Sequence, residues 1–181
     1  MILSDYFFIP MVVFIVFVAL VAGFFLFHRV LHKIAIREIK FQPFNFVYKS
    51  YRGDYAKNGA MLEGMVEQLK AADVPIVNMG VIYHDNPRKT PKKELRSDVG
   101  FMVPETVGAN RVPELNVKTI KHNDYLASSF PYKSRFSIAI GAMKVYKAFN
   151  KELKKRQKTE REIIEIYDMQ NRTIVYLMPM E

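Results

Sequence analysis

A single glutamate interrupts an apolar stretch near the end of the chain. In the segment REIIEIYD, the alternation of a strand places Ile163, Glu165 and Tyr167 on one face and two isoleucines on the other. A carboxylate flanked by apolar and aromatic side chains is partly desolvated, which raises its pKa. Glu165 could then attract an organic cation or act as a general base. Exposure to solvent, or an ion pair with a lysine, is the simpler alternative.

The surroundings of Glu165 have a counterpart earlier in the chain. GAMLEGMVEQL resembles GAMKVYKAFNKEL, VIYHDN resembles EIYDMQ, and FMVPE resembles YLMPM, in the same order. This matching pairs Tyr83 with Tyr167 and places Val81 where the later copy has Glu165. It predicts a duplicated β-α-β-β domain with pseudo-twofold symmetry, comprising residues 41–105 and 115–181. Chance similarity of short segments is the alternative.

The elements that would position these residues alternate along the chain. Residues 41–51 are aromatic and β-rich, which predicts a strand, and residues 57–72 carry apolar side chains at helical spacing. NMGVIYHD and LRSDVGFMVP predict two more strands. The second copy has its own strand, DYLASSFPY, and a long helix from about Ser134. Because the chain has no tryptophan, Phe130 and Tyr132 of that strand are further candidates for an aromatic ligand surface.

The connection between the two strands of the first hairpin is strongly basic. From Asp85 to Arg96 it holds two prolines and five basic residues, and its Asn-Pro and Thr-Pro pairs are typical of turns. We interpret it as a solvated rim that could touch anionic lipid or an anionic part of a ligand. No catalytic geometry is evident there.

The N-terminal segment predicts a membrane anchor. Residues 6–27 contain no charged side chain and are long enough to cross a hydrocarbon core of about 30 Å. A soluble core helix and a cleaved signal peptide are the alternatives, but MILSD lacks the basic residues of a signal peptide. Residues 1–5 would form a short extracytoplasmic N-terminus and residues 28–40 a basic juxtamembrane linker. Since lysine and arginine collect on the cytoplasmic side, the domain of residues 41–181 should face the cytoplasm.

Composition excludes several classes of function. The formal charge of +9 suggests nucleic acid, but the basic residues are dispersed and no nucleic-acid-binding motif accompanies them, so attraction to an anionic leaflet is the simpler explanation. There is no P-loop, HExxH or GxSxG motif. His28 and His32 have a spacing that could chelate a metal, but we interpret them as interfacial residues and His84 and His122 as isolated histidines. No metal or cofactor is predicted.

The hairpin IYHDNPRKTPKKELRSDVGFMVP resembles the signature hairpin of GyrI-like small-molecule-binding domains, which share the effector-binding fold of AraC-type regulators. The family run IY-x-D-P-x-x-x-P-x-x-L-R-x-D-V-G is matched at ten positions. These are Ile82, Tyr83, Asp85, Pro87, Pro91, Leu95, Arg96, Asp98, Val99 and Gly100. The resemblance covers residues 41–181 and implies an α+β fold with two central sheets, outer helices and a ligand cleft between the repeats. It also implies a carboxylate in the cleft, for which Glu165 is the match.

Three functions are compatible with these expectations. The first is a membrane-anchored domain that binds amphipathic or aromatic ligands, including cationic ones, through Glu165, Tyr83, Tyr167, Val81, Ile163, Phe130 and Tyr132. Such ligands could arrive through the bilayer. The second is a hydrolase of strained electrophiles in which Glu165 is catalytic and activates water. The third is a membrane-tethered adaptor for an unknown protein partner, since a GyrI-like ER-phagy receptor has a similar layout; here the chain ends at Glu181, without that receptor's tail.

Overall fold

A long apolar helix precedes an α+β domain. The computed structural model describes residues 2–27, 33–121 and 124–180. Helix α1, Ile2–Phe27, begins earlier than the sequence predicts and includes residues 2–5 of the predicted short N-terminus. Its segment Phe8–Phe27 has a mean hydropathy of 2.9 and exposed side chains, so it is long and apolar enough to cross a membrane. His28, His32 and His122 lie outside the described residues.

The domain contains eight strands and two α-helices within the described residues. The first strands are β1 (Arg37–Lys40), β2 (Phe44–Arg52), β3 (Asn78–Tyr83), β4 (Arg96–Val103) and β5 (Asn116–Ile120). The later strands are β6 (Asp124–Pro131), β7 (Ile163–Asp168) and β8 (Thr173–Pro179). Helix α2 (Leu62–Ala71) lies between β2 and β3, and helix α3 (Arg135–Lys155) lies between β6 and β7.

All eight strands form one antiparallel sheet in the order β1-β6-β8-β7-β3-β4-β2-β5. The resemblance implies two central sheets, and this prediction is wrong. Strands β3 and β7 pair along their length and join the two halves of the domain, with Val81 opposite Glu165. Away from this central pair, the order runs β7-β8-β6 on one side and β3-β4-β2 on the other. This is the order that a duplicated β-α-β-β unit would give, and the duplication stays a prediction.

The two faces of the sheet have different cores. On one face, Val81, Val99 and Tyr167 pack with Val145 and Phe149 of helix α3. On the other face the core consists mainly of strand residues. This second cluster joins Phe44 and Ile120 near one edge of the sheet to Tyr125 near the other, so the sheet curls into a half-barrel.

Helix α3 begins at a well-defined cap and packs closely on the sheet. The Ser134 side chain accepts from the Phe136 N–H, and Ser134 forms a capping box with Ser137. At Gly141, a Cβ would lie 2.5 Å from the Tyr176 hydroxyl oxygen and 3.0 Å from the ring of Phe130. Gly141 therefore allows α3 to approach β6 and β8 more closely than a larger residue would.

The structure differs from the sequence-based elements in three places. The predicted helix over residues 57–72 is a 3-10 helix, Tyr55–Met61, followed by α2. The predicted linker, residues 28–40, ends in strand β1, which pairs with β6. Strand β5, placed in the second repeat by the sequence, pairs with β2 of the first. Both edge strands are short and polar, so their alternation gives a weak signal.

Candidate ligand-binding site

A cavity of about 860 Å³ opens where helix α3 passes over the ends of β3, β7 and β8. Its apolar and aromatic wall includes Tyr83, Met143, Tyr146, Ile163 and Met178. The hairpin segment 84–90 and the segment 160–162 also line it. The remaining lining residues are Arg96, Ala142, Lys147, Asn150 and Pro179. More than half of the lining residues are polar or charged, so the cavity combines an apolar and aromatic part with a polar part. Its volume lies in the usual range of small-molecule sites.

Glu165 is buried beside this cavity, with 1% of its surface exposed. The Tyr146 hydroxyl donates to Oε1 at 2.8 Å, and the Tyr167 hydroxyl donates to Oε2 at 2.7 Å. Burial raises the pKa of Glu165 to about 7, although the two hydrogen bonds lower it. Tyr146 lines the cavity whereas Glu165 does not, so one phenol ring connects the carboxylate to the ligand space.

Tyrosines surround the carboxyl group. Burial raises the pKa of Tyr83, as does the nearby charge of Glu165, while hydrogen bonding with Tyr167 and Asn58 lowers it. Burial also raises the pKa of Tyr146 and Tyr167. These phenols therefore stay protonated near neutral pH and act as hydrogen-bond donors, and Glu165 is the group of this cluster whose pKa lies near 7.

The basic hairpin is fixed in place at the cavity rim. Arg96 donates through Nε and Nη2 to the two carboxylate oxygens of Asp85, at 3.0 and 2.9 Å. The Tyr55 hydroxyl also bonds the Asp85 carbonyl at 3.0 Å. Across the rim, Glu160 accepts from Lys89 at 2.8 Å. The hairpin is thus part of the cavity wall, in addition to being the solvated rim that the sequence predicts.

His84 connects three segments at the base of the hairpin. Its Nε2 lies 3.0 Å from Asp98 Oδ2, and its Nδ1 lies 3.1 Å from Glu162 Oε2. These two hydrogen bonds raise the pKa of His84 to about 9, so the ring is doubly protonated near neutral pH. Burial would raise the pKa of Asp98, but hydrogen bonds from His84, Lys118 and Ser50 lower it overall.

The structure brings together some of the predicted site residues. Tyr83 and Ile163 line the cavity. Glu165 and Tyr167 form the buried hydrogen-bonded group, and Val81 is paired with Glu165 in the sheet. Two aromatic residues of the prediction lie elsewhere. Phe130 is buried in the core beneath helix α3, and Tyr132 lies at the β6–α3 connection, outside the cavity wall.

Sequence reasoning did not assign Tyr146 or His84 to the site. Helix α3 carries both Tyr146, whose hydroxyl reaches Glu165, and Met143, which is 54% exposed at the cavity wall. A tyrosine on the buried side of a helix needs a hydrogen-bond partner, and this requirement was the available signal for Tyr146. For His84, no signal in the sequence indicated that Glu162 would be adjacent.

Residues 34–176 match the family model described as a GyrI-like small molecule binding domain. The chain belongs to the GyrI-like family. No curated protein gives a significant sequence match. Within the described residues, no group of three or more His, Cys, Asp or Glu side chains could hold a metal ion. Family membership makes the GyrI-like domain a small-molecule-binding domain, and the cavity is its candidate site.

Solved structures share the GyrI-like fold. The EcmrR C-terminal domain has a TM-score of 0.58 and 11% identity, with 81% of this chain and 96% of that chain covered. An uncharacterized conserved protein from Listeria innocua has a TM-score of 0.51 and 12% identity, covering 81% and 92%. A hydrolase from Listeria innocua has a TM-score of 0.52 and 9% identity, covering 81% and 92%. At these identities the similarity shows the fold alone.

Proposed function

We propose that this GyrI-like protein is a membrane-anchored binding protein for amphipathic or aromatic small molecules, including cationic ones. The observation that carries the proposal is the cavity with Tyr83 and Tyr146 in its wall and the Glu165 carboxyl group behind Tyr146. The aromatic rings offer apolar contact area. The buried carboxylate offers a negative charge in a region of low dielectric, where it acts more strongly than in water.

Membrane anchoring is the second part of the proposal. Helix α1 supplies an apolar segment of sufficient length, and basic residues follow it at Arg29, Lys33, Arg37 and Lys40. This distribution of charge favours an N-terminus outside and a binding domain in the cytoplasm.

A hydrolytic function is the second candidate, because a carboxyl group with a pKa of about 7 suits general-base catalysis near neutral pH. Both oxygens of Glu165 already accept a tyrosine hydroxyl, however, and the carboxylate does not line the cavity. Water could be activated only after Tyr146 moves. Binding therefore has the stronger support.

The test is ligand-induced thermal stabilisation of the full chain in lipid nanodiscs. We expect ethidium, an aromatic cation, and naphthol, a neutral aromatic, to give saturable stabilisation that follows mass action. Affinity for ethidium should increase as the pH rises through about 7, because Glu165 becomes ionised. In Glu165→Gln the ethidium affinity should fall by about tenfold or more, which corresponds to about 1.4 kcal/mol, while naphthol binding stays.

Glu67→Gln, at an exposed position of α2, is the matched control and should bind like the wild type. If Glu165→Gln binds ethidium with unchanged affinity and no pH dependence, the carboxylate plays no part in recognition. If neither ligand stabilises any variant, the binding proposal loses its support.

A further inference from the structure

Exposed apolar and basic side chains form a group at one end of the sheet. We call this group the tether-end patch, and it consists of Lys133, Arg135, Phe136, Met169 and Arg172. Phe136 and Met169 are 63% and 56% exposed, and the three basic residues are exposed as well. Large apolar side chains with this exposure are uncommon on the described surface of the domain.

Two connections of the fold meet in this patch. Lys133, Arg135 and Phe136 follow β6, whereas Met169 and Arg172 belong to the turn between β7 and β8. The Tyr132 N–H donates to the Arg172 carbonyl at 2.8 Å, which joins the two connections. The patch is therefore one continuous surface and not two separate loops.

The patch contacts the end of helix α1. Lys133 Nζ donates to the Phe27 carbonyl at 2.7 Å and lies 4.4 Å from the centroid of the Phe27 ring. The Phe136 ring packs edge-to-face on Phe24, with 5.9 Å between centroids. Phe136 thus lies beside the last turn of the apolar helix. If α1 spans a membrane, this residue is level with the membrane–water interface.

We propose that the tether-end patch binds the surface of an anionic phospholipid bilayer, an inference that rests on the proposed membrane anchoring. Phe136 and Met169 would enter the interfacial region, where aromatic and apolar side chains are favoured. Lys133, Arg135 and Arg172 would face the phosphates, since basic groups next to a membrane are attracted to anionic headgroups. The adjacent carboxylate, Asp168, is occupied by hydrogen bonds from Asn171 at 2.9 and 2.7 Å.

This contact would orient the cavity away from the bilayer. The cavity lies where β7 begins at Ile163, and the patch lies beyond Asp168, where β7 ends. A strand of six residues separates them by about 17 Å. A ligand would then reach the cavity from the aqueous phase and not laterally from the lipid, in contrast to arrival through the bilayer.

The experiment uses single-cysteine variants of the full chain, which has no native cysteine. An environment-sensitive fluorophore is attached at Phe136→Cys or Met169→Cys in the patch, at Arg88→Cys beside the cavity, or at Phe17→Cys within α1. Each protein is reconstituted in phosphatidylcholine vesicles with or without phosphatidylglycerol, and quencher lipids are added. We expect strong quenching at positions 17, 136 and 169, and little quenching at position 88.

Charge variants test the role of the basic residues. Lys133→Glu with Arg135→Glu should reduce quenching at position 169 by at least half in phosphatidylglycerol vesicles. The matched control, Lys151→Glu with Lys154→Glu, makes the same charge change at the far end of α3 and should leave the quenching unchanged. If the two double variants lose the same amount of quenching at position 169, the assignment of lipid binding to the patch is overturned.

The label in α1 separates failure of this inference from failure of the anchoring. Quenching at position 17, with positions 136 and 169 no more quenched than position 88, would overturn the patch proposal and leave the anchor intact. Absence of quenching at position 17 would overturn the anchoring itself. If the fluorescence of the label at position 136 depends on protein concentration and not on quencher lipid, the patch binds a second copy of the chain. That result would also overturn the lipid assignment.

Discussion

At the scale of single residues, the charged contacts of His84 link strand β4 to the segment before β7. Protonated His84 donates to Asp98 and Glu162, and Asp98 also accepts from Lys118 and Ser50. The folded state therefore favours the protonated ring, whereas an unfolded chain releases this proton near pH 6.5. The interaction stabilises the fold fully below about pH 6.5, and this stabilisation is lost as the pH rises through about 9.

We expect His84→Gln to lower the free energy of unfolding by about 2 kcal/mol at pH 6, with a smaller loss above pH 9. Urea unfolding at several pH values measures the difference. Lys93→Gln removes an exposed positive charge and should show no such pH dependence. A loss of equal size at both ends of the range would contradict the assigned pKa.

The sequence predicted part of the site because strand alternation is a local property. It placed Glu165 and Tyr167 on one face, and the structure confirms this, since the intervening Ile166 packs in the opposite core. Tyr146 could not be assigned in the same way. Its hydroxyl reaches Glu165 only because of how α3 crosses the sheet, and that crossing depends on packing between distant segments.

At the scale of elements, the position of α3 depends on the contact at Gly141. The buried hydroxyl of Tyr176, which finds no hydrogen-bond partner among the described residues, lies 2.5 Å from the position that a Cβ of residue 141 would take. Strands β2, β3, β4, β6, β7 and β8 follow from alternation and turn residues, and were predicted. The edge strands β1 and β5 were not predicted, because their own sequences have no clear strand pattern. They are defined by their pairing with β6 and β2.

Gly141→Ala should destabilise the protein by up to about 2 kcal/mol, because an overpacking cost of about 1–3 kcal/mol exceeds the gain in helix propensity of about 1 kcal/mol. Gly64→Ala is the matched control in helix α2, where a Cβ meets nothing within 4 Å, and it should be neutral or stabilising. Chemical denaturation compares the two variants.

Removal of the Tyr176 hydroxyl provides an internal check. Adding Tyr176→Phe to Gly141→Ala should recover part of the lost stability, since it removes the atom nearest to the new methyl group. If both alanine variants stabilise the protein equally, close packing of α3 on β8 is contradicted.

At the scale of the whole molecule, the β3–β7 pair holds the two halves in one sheet. Strands β3 and β7 are central, paired on both sides, and largely buried on both faces, whereas β1 and β5 each have one neighbour. This continuous sheet could not be predicted, because the sequence pattern is equally compatible with two sheets that face each other.

We expect amide hydrogen exchange of the full chain to be slowest in β3 and β7 and fastest in β1 and β5. Exchange followed by mass spectrometry in nanodiscs measures this order. If the segments of one half exchange as a block much faster than those of the other half, the halves unfold separately, and the central pair does not unite them.

The position of Tyr146 also affects the kinetics of binding. A ligand in the cavity contacts this ring first, and direct access to the carboxylate requires the phenol to give up its 2.8 Å hydrogen bond and rotate. The rate of this ring rotation does not depend on ligand concentration. For ligands that reach Glu165, the observed association rate should therefore rise with concentration and then level off at the rate of ring rotation, whereas ligands that stop at Tyr146 should show no plateau.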